Sequence, residues 1–244
     1  VPRGHPLAVI RQARQLTDAV LVGLSGGKDS LAVLQLASEH GFKLAAYFLY
    51  FVPGIRFQEE VLRYCERRYG LKVLRLPHWG LSHQLREWVF RGPHYAGDCP
   101  RLKLIDVENY ARRQTGIQWI ATGQRKDDSL ERRAMLSRCG GIDIGNRRFY
   151  PLAEWGRRHV FSYLARARVP LPADYKMFGG SWGGRLYAED LAAIKRSYPD
   201  DYETILRYFP YAEAQITRAG LLAEQAPSVS NDAAGAVGHR ERAV

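Results

Sequence analysis

Apolar residues fall into short uninterrupted runs in the first half of this chain and into helical spacing in the second. Ala19-Val20-Leu21-Val22-Gly23-Leu24 and Leu44-Ala45-Ala46-Tyr47-Phe48-Leu49-Tyr50-Phe51 have strand length and no alternation. Strands covered on both faces of a sheet read this way. Runs at Lys72 to Leu76 and Ile117 to Thr122 predict further strands. Helical patterns lie around them: Pro6 to Leu16, Leu31 to Ala37 stopped at Gly41, Gln58 to Tyr69 closed by Gly70, and Leu102 to Gln114. Strands and helices alternating at this spacing predict an α/β parallel sheet with crossover helices, a Rossmann-like sandwich.

After Gly145 the pattern becomes mainly helical. Trp155 to Arg168 and Tyr187 to Ser197 read as helices, Pro199 suits the first turn of another, and helical character runs on to about Glu224. The glycine-rich stretch Gly179 to Gly184 is a connector or a mobile lid around Trp182. The expected organisation is an α/β domain over 6–170, a helical C-terminal part over 171–225, and a small, polar, aperiodic tail over 226–244. Residues 1–5 resemble the remnant of a cleaved tag and are set aside.

Between the first predicted strand and its helix stands Ser25-Gly26-Gly27-Lys28-Asp29-Ser30. A helix N-terminus offers unpaired N–H groups and partial positive charge, so anions bind there. Gly26 and Gly27 let the backbone approach phosphate oxygens closely. Ser25 and Ser30 can donate hydrogen bonds, and Lys28 adds a full charge. Asp29 would repel phosphate unless it holds a cation, which suggests a role with Mg²⁺. The spacing is neither that of the Walker loop nor that of the dinucleotide fingerprint. The plain alternative is a glycine turn that merely joins strand to helix.

A second cluster follows the strand ending at Thr122. Gly123 precedes Arg125, Lys126, Arg132 and Arg133, cations that would lie beside the C-terminal edge of a parallel strand, where open sheets bind ligands. Guanidinium groups suit phosphate or sulfate. The alternative is a solvated helix face with Asp127 and Glu131 as local partners.

Composition narrows the class. Of 244 residues, 46% are hydrophobic and 25% charged, which suits an ordinary globular core. No apolar stretch is long enough to span a bilayer and no signal sequence opens the chain, so no membrane partner and a cytoplasmic location are expected. The formal charge of +11 points to an anionic partner, a nucleotide, a nucleic acid or both. A partner protein or a homo-oligomer stays open. Cys65, Cys99 and Cys139 are scattered and odd in number, which argues against a disulfide framework. They are too few for a cysteine-bound iron–sulfur cluster, so none is expected. Cys65 and Cys99 read as core residues, and Cys139 as an exposed one. His78, His83 and His94 lack tight ligand spacing. The stretch from Pro77 to Pro100, with Trp79, Trp88 and Tyr95, is where a substrate loop would fit.

Ser25 to Ser30 matches the S-G-G-x-D-S signature of the PP-loop ATP pyrophosphatase superfamily, and the resemblance runs from about Ala19 to Pro170. It implies the adenine nucleotide alpha hydrolase-like fold and enzymes that split ATP into AMP and pyrophosphate while adenylating a substrate. Ala121 to Arg133 resembles the glycine–Arg–acid–Ser–Arg segment of phosphoadenosine phosphosulfate (PAPS) reductases. Pro151-Leu152-Ala153-Glu154-Trp155 with His159 to Leu164 and Val169-Pro170, and Cys99-Pro100-Arg101-Leu102-Lys103, are similar to segments of the same branch. By this resemblance the backbone near Phe48 and Leu49 contacts the base, and Lys103 joins Arg125, Lys126, Arg132 and Arg133 around the substrate.

Departures are informative. The reductases carry a late Glu-Cys-Gly-x-His-like segment, and no cysteine follows Cys139 in this sequence. The complete loop favours ATP cleavage, since reductases often carry altered loops. The expected function is therefore ATP-dependent adenylation, with Lys28, Asp29 and Arg125 as catalytic residues and ATP with Mg²⁺ as the cofactors. Sulfonucleotide reduction with external thiols, or a non-catalytic nucleotide or nucleic-acid binding module, are the alternatives.

Overall fold

A computed structural model describes residues 6–87, 90 and 99–225 of the chain. The leading residues 1–5, the tail 226–244, and Trp88, His94 and Tyr95 of the expected substrate loop lie outside the described residues.

The first half alternates as its apolar pattern requires: α1 (Pro6–Leu16), β1 (Ala19–Gly23), α2 (Lys28–Glu39), β2 (Lys43–Tyr50), α3 (Arg56–Tyr69) and β3 (Val73–Pro77). After α4 (Trp79–Arg86) come α5 (Leu104–Thr115), β4 (Ile120–Ala121), α6 (Leu130–Cys139), β5 (Ile142–Asp143) and β6 (Arg148–Phe149). The sheet order is β3-β2-β1-β4-β6-β5. All neighbours run parallel except β5, which pairs antiparallel with β6. From β1 the chain moves outward to β2 and β3 and then returns to the other side of β1 with β4. The C-terminal end of β1 is therefore the switch point, where an open α/β sheet leaves a crevice. Val20, Leu21 and Val22 on β1 are fully buried, as a strand covered on both faces should be.

The Ile117 to Thr122 strand is shorter than its apolar letters suggest. Only Ile120 and Ala121 form the ladder, because the partner on that side, β6, is itself two residues long. The hairpin of β5 and β6, like α4 and α6, has too little periodicity to stand out in the sequence.

The later helices are α7 (Arg157–Arg166), α8 (Ala173–Phe178), α9 (Ala188–Ser197), α10 (Pro199–Tyr208) and α11 (Glu213–Gln225). Pro199 opens α10 at its first turn. Helix α7 packs on α2 beside the sheet, and Val160 and Leu164 join the main core. A second core gathers Trp182, Leu191, Ile194, Tyr202, Ile205 and Phe209 with Val52 and Ile55 from the connection after β2 and Phe57 from the first turn of α3. Asp201, buried, fastens the two parts. Its carboxylate accepts from the Arg56 N–H at 2.7 Å and the Phe57 N–H at 3.3 Å, which are first-turn amides of α3. An anion at a helix N-terminus satisfies orphan donors and complements the helix dipole. The C-terminal helices thus sit on the same edge of the sheet as the end of β2. Among the described residues no helix is long and apolar enough to cross a membrane.

Asp174 on α8 is a second buried acid. Its Oδ2 accepts from the Trp182 N–H at 3.1 Å, while Oδ1 has no hydrogen-bond partner. Burial pushes this carboxyl up from its usual range to about 6. A carboxyl whose pKa is higher in the folded than in the unfolded state favours folding once protonated, so its contribution improves as pH falls through 6 toward 4. Urea titrations of wild type and Asp174→Asn should therefore diverge in wild type's favour on acidification from pH 7 to 4. A constant difference across that range would show that the carboxyl does not titrate there.

Candidate functional site

Loop 25–30 joins β1 to α2 at the switch point. Gly26 takes a left-handed turn with φ of +74°, a conformation that disfavours a side chain. Four hydrogen bonds then close the loop on itself. The Gly27 N–H donates to Ser25 Oγ (3.3 Å), Ser25 Oγ donates to Ser30 Oγ (3.1 Å), and Ser30 Oγ donates to the Gly27 carbonyl (2.9 Å). The Ser25 N–H also reaches Ser30 Oγ at 3.2 Å. Both hydroxyls therefore shape the loop from within. The amides of Gly26, Asp29 and Ser30 have no hydrogen-bond partner among the described residues. Asp29 and Ser30 supply first-turn donors of α2 and Gly26 a loop donor just before its N-cap, the kind of amides an anion would take.

Asp29 is locked between cations. Its Oδ2 meets Lys28 Nζ at 2.5 Å and its Oδ1 lies 3.1 Å from Arg125 Nε. The second contact is an ion pair without hydrogen-bond alignment, since neither atom counts as hydrogen-bonded. Arg125 is buried and also donates to Asp128 Oδ1 at 2.8 Å, and Asp128 in turn holds Arg132 at 3.0 Å. Gly123 lets the β4 loop come this close. A Cβ there would stand 2.8 Å from Asp29 Cβ and carbonyl carbon, well inside contact distance. A line of alternating charge thus runs from Lys28 through Asp29, Arg125 and Asp128 to Arg132.

A cleft of about 260 Å³ opens beside the loop, lined by Ser25, Phe48, Leu49, Thr122 and Gln124 among others. That volume is near the lower end of small-molecule sites, roughly 300 Å³. Its polar floor escapes sequence reading. Glu108 is 1% exposed, accepts from Tyr47 Oη at 3.0 Å and pairs with Arg148. Burial, reinforced by the Glu108 carboxylate, pushes the Tyr47 phenol far up, so it stays a neutral donor. His78 lines the cleft, stacks on Phe51 with ring centres 4.2 Å apart, and accepts the Gly80 N–H on Nδ1 at 2.9 Å. Burial lowers its pKa. One signal for Glu108 existed: it follows Val107 directly and precedes Ala111 by three positions, a charged residue on the buried face of α5. Tyr47 and Arg148 carried no such mark.

The remaining sequence candidates are spread out. Phe48 and Leu49 line the cleft with Ser25. Lys126 pairs with Glu154, and Arg133 Nε donates to the Lys126 carbonyl at 3.4 Å, so both are engaged away from Asp29. Lys103 is exposed at the start of α5, where its N–H donates to Asp106 at 2.9 Å. The acid that organises the arginines is Asp128, rather than Asp127 or Glu131. Cys65 is buried, and burial raises its thiol to about 12. Cys99, read as a core residue, is half-buried instead, because it lies at the surface just before Pro100. Trp182 is fully buried in the second core, so the glycine-rich stretch is pinned at its centre.

The described residues offer little to Mg²⁺ on their own. No group of three or more His, Cys, Asp or Glu side chains suited to a metal occurs among the described residues. Asp29 is a lone carboxylate with both oxygens facing cations. It fits a Mg²⁺ that arrives with phosphate oxygens, the usual form of such sites, and does not fit a resident ion.

A mostly parallel sheet with a glycine loop and unpartnered amides at its switch point has the layout of an anion-binding site. Residues 19–177 match the model of the phosphoadenosine phosphosulfate reductase domain, and the chain belongs to that family. Among solved structures, the phosphoadenylyl-sulfate (PAPS) reductase of Candida auris in its phosphate complex is similar, with a TM-score of 0.49 and 15% identity over 70% of this chain and 84% of that one. The U34-tRNA thiolase NcsA of Methanococcus maripaludis, with its 4Fe–4S cluster, gives a TM-score of 0.47 and 14% identity over 85% of this chain and 78% of that one. No curated protein matches the sequence significantly.

Two substitutions test the geometry. Gly123→Ala should push the loop off Asp29 and weaken nucleotide binding, with the far-ultraviolet spectrum unchanged, because the added Cβ would stand 2.8 Å from Asp29. Unaltered affinity would show that the close approach is dispensable. Glu108→Ala leaves Arg148 and Tyr47 unpaired and should cost about 3–5 kcal/mol in urea unfolding.

Proposed function

We propose that the chain binds ATP and transfers its adenylyl group to an acceptor, with pyrophosphate leaving. The observation that carries this reading is the set of free amides at Gly26, Asp29 and Ser30 beside Lys28, at the end of a cleft that reaches Phe48 and Leu49. The base would lie in that cleft and the polyphosphate would run over the loop. Amides at a helix N-terminus, together with a buried lysine, stabilise charge that accumulates on a leaving pyrophosphate. Lys28 would exchange Asp29 for phosphate oxygens, swapping one anion for another without being stranded. Mg²⁺ bound with the nucleotide would add charge neutralisation. Arg125 would keep Asp29 in place, a holding role that its burial favours over direct contact with substrate.

Catalysis on this reading is positional and electrostatic. Thiols take no part, and neither Cys65, Cys99 nor Cys139 lines the cleft. The family match supports a second reading, reduction of a sulfonucleotide with thiols supplied by a partner protein. The same loop could hold such a nucleotide's anionic groups.

Incubation with ATP, Mg²⁺ and candidate acceptors, nucleic acids included because of the +11 charge, should release pyrophosphate. Lys28→Ala should slow that release about 100-fold or more. Thioredoxin-dependent sulfite release from PAPS, without pyrophosphate from ATP, would favour the reductase reading instead.

A further inference from the structure

We infer that Tyr175 belongs to the phosphate site: its hydroxyl stands on the Lys28 amide where a polyphosphate oxygen would sit, and a polyphosphate must displace it. This rests on the proposal that loop 25–30 receives the phosphates.

The Lys28 N–H donates to Tyr175 Oη at 3.0 Å, across 147 positions of sequence. Lys28 is the first residue of α2, so this amide has no partner within the helix. The neighbouring amides of Gly26, Asp29 and Ser30 are open, and only this one of the four is filled by a side chain. Charges of both signs lie around it, Asp29 and Asp174 on one hand and Arg157 on the other. Tyr175 meets the Phe161 ring edge-on with centres 6.3 Å apart, and the same ring carries Lys28 Nζ at 6.0 Å and Arg157 Cζ at 5.4 Å. Burial raises the Tyr175 phenol, so the occupant is neutral. A helix N-terminus therefore faces an uncharged oxygen, and a phosphate that makes charge-assisted bonds to this amide and to Lys28 would displace it.

The backbone of α8 is not free to leave. Asp174, next to Tyr175, accepts from the Trp182 N–H, and Trp182 is buried and donates Nε1–H to the Arg185 carbonyl at 2.8 Å. Ser181 also lies against the loop, its Oγ 3.2 Å from where a Gly27 Cβ would be. The pinned segment keeps the phenol aimed at the loop, and displacement is a rotation of the Tyr175 side chain with α8 in place. A neutral hydrogen bond contributes about 0.5–1.5 kcal/mol net, while charge-assisted ones are roughly twice as strong. Phosphate therefore wins the amide, but against a competitor.

The test is calorimetric titration of wild type and Tyr175→Phe with inorganic tripolyphosphate, α,β-methylene-ATP and AMP. Removing the competing hydroxyl should tighten both polyphosphate ligands by about two- to tenfold. AMP, which does not extend to the Lys28 amide, should be unchanged. Polyphosphate affinity that is unchanged or weaker in the variant, or a shift of equal size for AMP, overturns the assignment. If neither protein binds any polyphosphate, the loop reading itself fails and this inference falls with it.

Discussion

The contact on which the rest of the site depends is the one between Asp29 and Arg125. It joins the loop after β1 to the loop after β4 across the switch point, and it is continued by Lys28 on one side and Asp128 on the other. Arg125 is 7% exposed and Lys28 9%, so these charges are mostly withdrawn from water. Buried charges persist only when paired. The pairing keeps the loop in one shape with its amides facing outward. On the proposed reading, phosphates would meet the Gly26, Asp29 and Ser30 amides already unpartnered, while Lys28 and its amide would change partners.

The C-terminal helices belong to this site as much as the sheet does. Asp201 caps α3, Trp182 anchors the glycine-rich stretch, and Tyr175 reaches the loop itself. The second core is built partly from Val52, Ile55 and Phe57, which directly follow the strand that lines the cleft. Helices that look like an appendage in sequence thus form a wall beside loop 25–30.

Much of the sheet and the loop was legible because local pattern decided them. β1 and β2 are uninterrupted apolar runs, α3 ends at Gly70 with the left-handed geometry glycine favours, and Ser25 to Ser30 stands between strand and helix. The hairpin of β5 and β6 was not legible, since two-residue strands leave no period to read. Nor was the floor of the cleft. Tyr47, Glu108 and Arg148 lie on three separate elements, and only the folded sheet brings them together. Arg125 shows a further limit. Its position near the site followed from the sequence, but its burial among Asp29, Asp128 and the Trp155 carbonyl did not.

The central claim is that the polyphosphate of a nucleotide seats on residues 25–30. A crystal structure with a non-hydrolysable ATP analogue tests it most directly. Phosphate oxygens should lie at about 3 Å from the amides of Gly26, Asp29 and Ser30, with the base between Ser25 and Leu49. A triphosphate bound elsewhere, with this loop unoccupied, would contradict it.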